Sequence, residues 1–197
     1  MPPPALINLE KARALIVDDN NQALDILASV LTGFGLRNVA RATNGKEAQT
    51  ELRGPPVDLI VTDAHMPEVD GYDFIAWLRR QKNATLRSTP VILLSAHTPK
   101  RHVMRARDCG ANFMIAKPIS PHIMLERILW VAEGNRHFVE CDAYVGPDRR
   151  WKFAGPPTEH PDGRRRNDQT AVVGHAEGEN LTQAELDELL KPQRSAA

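Results

Sequence analysis

Between Ala12 and about Gly134 the chain alternates short apolar runs with amphipathic segments, and that alternation leaves few folds open to it. The short runs lie in ALIV, NVARAT, VDLIVTD, PVILLSA and NFMIAKP. They are too brief for helices and rich in Val and Ile, so they read as strands. The segments between them differ. Leu24, Leu27 and Leu31, then Phe74, Trp77 and Leu78, recur at the three- and four-residue spacing of one helix face. Five βα units in succession predict a parallel α/β sheet with helices on both faces. Gly33, Gly35, Gly54, Gly110 and Gly134 fall near the helix ends, where C-terminal caps favour glycine.

The 197 residues suffice for one ordinary domain and a tail, with residues 1–11 as an N-terminal extension and 12–134 as the domain. Lys+Arg and Asp+Glu are both 25, so the zero net charge gives no overall attraction to nucleic acid or an anionic membrane. No apolar stretch approaches the roughly 18 to 20 residues needed to span a bilayer, and MPPPALINLEKAR lacks the apolar core of a secretory signal. A cytoplasmic protein is expected. Cys109 and Cys141 have neither CxxC spacing nor a metal-ligand cluster beside them, which predicts reduced thiols.

Asp18-Asp19, Asp63, Ser95 and Lys117-Pro118 each sit at the end of an apolar run. Those positions are where parallel strands emerge at one edge of a sheet, the edge at which open α/β sheets bind ligands. Three carboxylates converging there repel one another, and a hard divalent cation relieves the repulsion. Magnesium suits Asp18, Asp19 and Asp63 better than calcium, because it needs only one or two carboxylates and readily bridges a phosphoryl oxygen. Phosphoryl transfer then requires an in-line nucleophile and neutralised equatorial oxygens. Asp63 is the candidate nucleophile, with the Lys117 ammonium and the Ser95 hydroxyl each serving one phosphoryl oxygen.

On LIVDDN at 15–20, VTDAHMPEVDGYDF at 61–74, LLSAHT at 93–98 and CGANFMIAKPIS at 109–120, the chain resembles the CheY-like receiver domain of bacterial two-component response regulators. The resemblance implies a flavodoxin-like (βα)5 fold with sheet order 2-1-3-4-5, and a histidine kinase or phosphotransfer protein as the donor of a phosphoryl group to Asp63. It further implies that Asp19, Asp63 and the backbone carbonyl of His65 hold Mg²⁺ directly, with Asp18 nearby. No catalysis beyond self-dephosphorylation is implied. Haloacid-type phosphatases, chemically similar, carry a DxD motif after the first strand, where this chain has Asp18-Asp19. One position departs from the receiver pattern: Met114 stands where an aromatic switch residue is usual, three before Lys117. Phe113 is adjacent, but a one-residue shift on a strand points to the other face.

Residues 135–178 are rich in Gly, Pro, Arg, Asp and His and are read as a flexible, largely disordered linker. Residues 179–192 return to an amphipathic helix, with Leu181, Leu186, Leu189 and Leu190 on one face and Thr182 and Glu185 in a capping-box pattern. ENLTQAELDELL resembles the N-terminal peptide of the flagellar switch protein FliM, which implies docking on a receiver surface, its own or another's. YVGPDRRWKF and GRRRND are similar to the arginine-rich extensions of the Cle proteins, CheY-like effectors of cyclic-di-GMP. That likeness implies a nucleotide site at Arg149, Arg150, Trp151, Arg164, Arg165 and Arg166, since guanidinium forks pair with phosphates and stack on purines. No helix-turn-helix or zinc-finger spacing follows the receiver, so output through protein contact rather than specific DNA binding is expected.

Overall fold

The computed structural model describes residues 9–132, 138–141, 144–148 and 180–190, the side chains of 188–190 excepted. Five parallel strands, β1 (Arg13–Val17), β2 (Asn38–Ala42), β3 (Leu59–Asp63), β4 (Val91–Ser95) and β5 (Phe113–Ala116), form one sheet in the order β2-β1-β3-β4-β5. This is the flavodoxin-like order that the receiver resemblance implies.

Strand alternation sorts the core into two layers. Ala14 and Ile16 face one side with Leu24, Leu27 and Leu31 of α1 (Asn21–Gly33) and Met124 and Ile128 of α6 (Pro121–Ala132). Leu15 and Val17 face the other, with Ala48 of α2 (Gly45–Glu51), Phe74, Ile75 and Leu78 of α3 (Gly71–Arg79), and Val103 and Ala106 of α5 (Lys100–Cys109). Leu9, placed by the sequence in an extension, packs into the first layer. A short helix between α3 and β4, α4 (Ala84–Ser88), is started by Asn83, whose side chain accepts from the Leu86 N–H. Gly110 ends α5 in the left-handed region at φ 96°, as a C-terminal cap requires.

Because all five strands run the same way, their C-terminal ends share an edge. Register aligns Val17 with Thr62, Asp63 with Leu94 and Ser95 with Ala116, so the polar ends of β1, β3, β4 and β5 emerge side by side.

The expectation of a flexible linker from residue 135 is corrected in part, because an antiparallel hairpin, β6 (Phe138–Cys141) and β7 (Tyr144–Pro147), extends the domain. The hairpin packs on Arg79, which is only 3% exposed. The Arg79 guanidinium donates to the carbonyls of Gly110 (3.0 Å), Arg87 (2.6 Å) and Thr89 (2.8 Å), and lies 5.5 Å from the Phe138 ring centroid. Arg87 pairs with Glu140 at 2.5 Å, and the Tyr144 hydroxyl donates to the Pro147 carbonyl at 2.7 Å. Composition alone hides this order because the partners lie in α3 and the loops beside it.

The final helix, α7 (Gln183–Leu190), has the capping box that the sequence predicts. The Glu185 carboxylate accepts from the Thr182 N–H at 2.7 Å, and the Glu185 N–H donates to the Thr182 hydroxyl at 3.4 Å.

Replacing Arg79 with Ala takes this donor from two buried carbonyls, those of Gly110 and Thr89, and from the half-buried carbonyl of Arg87. Arg79→Ala is expected to lower the unfolding free energy by about 3 kcal/mol, measured by urea denaturation, and to raise amide exchange across 138–147. An unchanged midpoint with unchanged exchange contradicts the anchoring role.

Candidate functional site

The strand ends bring together Asp18, Asp63, Ser95 and Lys117 as the sequence predicts. Asp18 and Asp63 are 1% and 7% exposed, at the ends of strands buried on both faces. The Lys117 ammonium reaches both carboxylates, 2.8 Å from Asp18 Oδ2 and 2.5 Å from Asp63 Oδ1. The remaining oxygens are also engaged: Asp18 Oδ1 accepts from the Asn20 N–H at 2.9 Å, and Asp63 Oδ2 from the His65 N–H at 2.8 Å. Burial opposes the charge on Lys117, yet its hydrogen bonds to Asp18 and Asp63 and their attraction hold the amine above its ordinary pKa. The cation therefore persists at neutral pH.

Asp19 is exposed beside them. Among the described residues, no three His, Cys, Asp or Glu side chains are grouped closely enough to hold a metal ion. Magnesium does not need three: it binds through one or two carboxylates and retains water. The ammonium lodged between Asp18 and Asp63 marks the place where this edge demands positive charge. Asp18 and Asp63, both joined to one ammonium, are the one or two carboxylates that a hard cation of this kind needs.

The loops around the edge are tightly set. Gly71, the first residue of α3, donates to the Ala64 carbonyl at 3.1 Å, and a Cβ there would lie 2.0 Å from the Asp63 carbonyl oxygen. The Ser95 hydroxyl, wholly buried, donates to the His97 carbonyl at 2.7 Å and accepts from the His97 N–H at 3.1 Å.

Residues 14–129 match the response regulator receiver domain family. The chain belongs to that family. It is 32% identical over 111 residues to a "probable chemotaxis protein CheY" of Rhizobium etli, covering 56% of this chain and 84% of that protein. It is 37% identical over 114 residues to the response regulator SaeR of Staphylococcus aureus, covering 58% of this chain but only 47% of SaeR. Among solved structures, the chemotaxis response regulator CheY4 of Vibrio cholerae superposes with a TM-score of 0.56 at 27% identity, over 61% of this chain and 98% of that one. A receiver domain of a signal transduction histidine kinase from Syntrophus aciditrophicus gives 0.56 at 32% identity, over 66% and 98%. Receivers serve two-component signalling and generally bind Mg²⁺ at their phosphorylation site. No described helix is long and apolar enough to cross a membrane.

Met114, at the receiver's usual aromatic position, is fully buried in the layer that also holds Val103 and Leu186, whereas Phe113 lies in the opposite layer against Trp130. The face of α5, β5 and α6 around Met114 is covered by α7. Gln183 reads the free edge of β5 with both ends of its amide, accepting from the Ala116 N–H at 2.8 Å and donating to the Met114 carbonyl at 3.3 Å. Leu186 is fully buried, which contributes about 2 kcal/mol. Asp187 pairs with Arg127 of α6. Of the expected helix anchors, Leu181 and Leu186 pack on this receiver, and the side chains of Leu189 and Leu190 lie outside the described residues. Arg149, Arg150, Trp151, Arg164, Arg165 and Arg166 also lie outside them.

Three features escaped the sequence reading. His65 is an exposed loop residue, and the loops bring its ring within 5.3 Å of that of His102 and 6.2 Å of that of His97. Burial and the neighbouring groups lower the His102 pKa. Gly71, inside the DGYDF motif, gave no sign of its closeness to Asp63, and Gln183 carried no periodic signal because its role is to pair with a strand edge.

Gly71→Ala drives a methyl group into the backbone of Asp63. It is expected to cost about 2 to 3 kcal/mol, measured by urea denaturation, and to slow any modification of Asp63. Wild-type stability would show that the α3 N-terminus gives way freely.

Proposed function

We propose that Asp63 is the phosphoacceptor of a two-component phosphorelay, and that the receiver signals through protein contact rather than through specific DNA binding. The observation that carries this reading is the Lys117 ammonium held between Asp18 and Asp63 at the ligand-binding edge of the sheet. A histidine kinase or phosphotransfer protein supplies the phosphoryl group as a phosphohistidine. A carboxylate oxygen of Asp63 attacks phosphorus, the P–O bond forms as the P–N bond breaks, and the electron pair returns to the donor imidazole.

Lys117 moves its ammonium from the free carboxylates toward the incoming phosphoryl oxygens, and the Ser95 hydroxyl donates to another. Asp18, Asp19, Asp63 and the His65 carbonyl would hold Mg²⁺, which would supply further neutralisation of the charge that accumulates there. The acyl phosphate brings about 1.5 to 2 negative charges to a nearly closed site, which biases the surrounding loops between two arrangements.

Support for output by contact comes from the α5–β5–α6 face, which accommodates an amphipathic helix: α7 rests there with Leu186 buried and Gln183 on the β5 edge. The FliM-like pattern of α7 suggests that a flagellar switch peptide, or another receiver's helix, competes for the same face. Localisation in the cytoplasm accords with that partner class.

Incubating the protein with acetyl phosphate and Mg²⁺ is expected to add one phosphoryl group, read by intact mass, and Asp63→Asn is expected to abolish the addition. Equal labelling of Asp63→Asn, or none of the wild type, refutes the assignment.

A further inference from the structure

The loop after β4 ties the chain leading into α7 to the proposed phosphorylation edge. Thr98, three residues after Ser95 and 2% exposed, commits all of its polar groups to the residues leading into α7. Its N–H donates to Asn180 Oδ1 at 3.0 Å and its hydroxyl to the Leu181 carbonyl at 2.6 Å, while its own carbonyl accepts from the Leu181 N–H at 2.9 Å. The same loop is pinned at its start by Ser95, whose one hydroxyl proton is donated to the His97 carbonyl. A hydroxyl has only one proton to donate. If Ser95 turns to a phosphoryl oxygen on Asp63, it must release the His97 carbonyl, which lies next to the clamp at Thr98.

We propose that α7 is an intramolecular latch on the α5–β5–α6 face, and that phosphorylation of Asp63 releases it through Ser95, His97 and Thr98. The inference rests on the phosphoacceptor reading of Asp63. Two kinds of anchor hold α7. Gln183 on the β5 edge, the buried Leu186 and the Asp187–Arg127 ion pair hold the helix itself, whereas the three hydrogen bonds at Thr98 hold the residues leading into it and lie on the loop that Ser95 must loosen. Losing the second set weakens the hold on α7, and once undocked its eight residues fall below the roughly 12 to 15 at which isolated helices become stable in water. Release and unfolding of α7 therefore go together.

The coupling is reciprocal, so a docked α7 opposes phosphorylation by the factor with which phosphorylation opposes docking. Release uncovers Met114's strand edge and frees the ENLTQAELDELL segment at once. One event would thus open a binding face and present a ligand for another such face.

The test is amide hydrogen exchange of the full chain with Mg²⁺, with and without beryllofluoride as the phosphoryl mimic, adduct formation being followed separately by bound ¹⁹F resonances. The adduct is expected to form on the wild type and not on Asp63→Asn. On its formation, exchange across 184–190 should accelerate at least tenfold. In Ser95→Ala, which has no hydroxyl to turn, the adduct should change that exchange less than twofold. Thr98→Val should accelerate it with no mimic present. Absence of an adduct that depends on Asp63 overturns the phosphoacceptor reading and this inference with it. An adduct on Asp63 that leaves 184–190 unchanged or more protected, or that accelerates Ser95→Ala equally, overturns the latch alone.

Discussion

Charge balance at the end of a buried sheet is the constraint from which the site is built. Asp18 and Asp63 are almost entirely withdrawn from water, and two buried carboxylates side by side are unfavourable unless a cation joins them. Lys117 supplies it from the end of the fifth strand, which fixes that strand's position relative to the first and third. The same shortage of positive charge is what the proposed divalent cation would relieve before a phosphoryl group arrives. Structural stability and chemical readiness here have one source.

The second theme is the treatment of the exposed sheet edge at β5. An edge strand presents unpaired N–H and C=O groups, a template for any segment able to pair with them. This chain covers its own edge with Gln183, whose amide satisfies one donor and one acceptor of β5, and seals the cover with Leu186. Met114, buried beneath, occupies the place where receivers usually carry an aromatic ring. Methionine repacks readily, which suits a position covered by a helix rather than by an aromatic neighbour of its own strand. The Thr98 contacts then give the loop beside the phosphorylation edge a direct hold on that cover.

The sheet and the polar cluster were legible in the sequence because both follow from local pattern: apolar runs of strand length, each closed by a residue that parallel topology brings to one edge. Asp18, Asp63, Ser95 and Lys117 needed no knowledge of packing. The hairpin at 138–147 was not legible, since its order depends on Arg79 and the α3–α4 region, which carry no periodic mark. The leucine spacing of α7 revealed a helix and its cap, but its seat is set by Gln183 and Thr98 through backbone groups of β5 and the β4–α5 loop. Gly71 and the grouping of His65, His97 and His102 likewise arise from loops folding together, where neighbours in space are distant in sequence.

A crystal structure of the full chain with Mg²⁺ and beryllofluoride tests the central claim most directly. The account predicts the mimic on Asp63, the metal beside it on the neighbouring carboxylates, and the Lys117 ammonium and Ser95 hydroxyl both turned to the fluorides. A mimic bound elsewhere, or Lys117 still bridging Asp18 and Asp63 with Ser95 still on the His97 carbonyl, would contradict it.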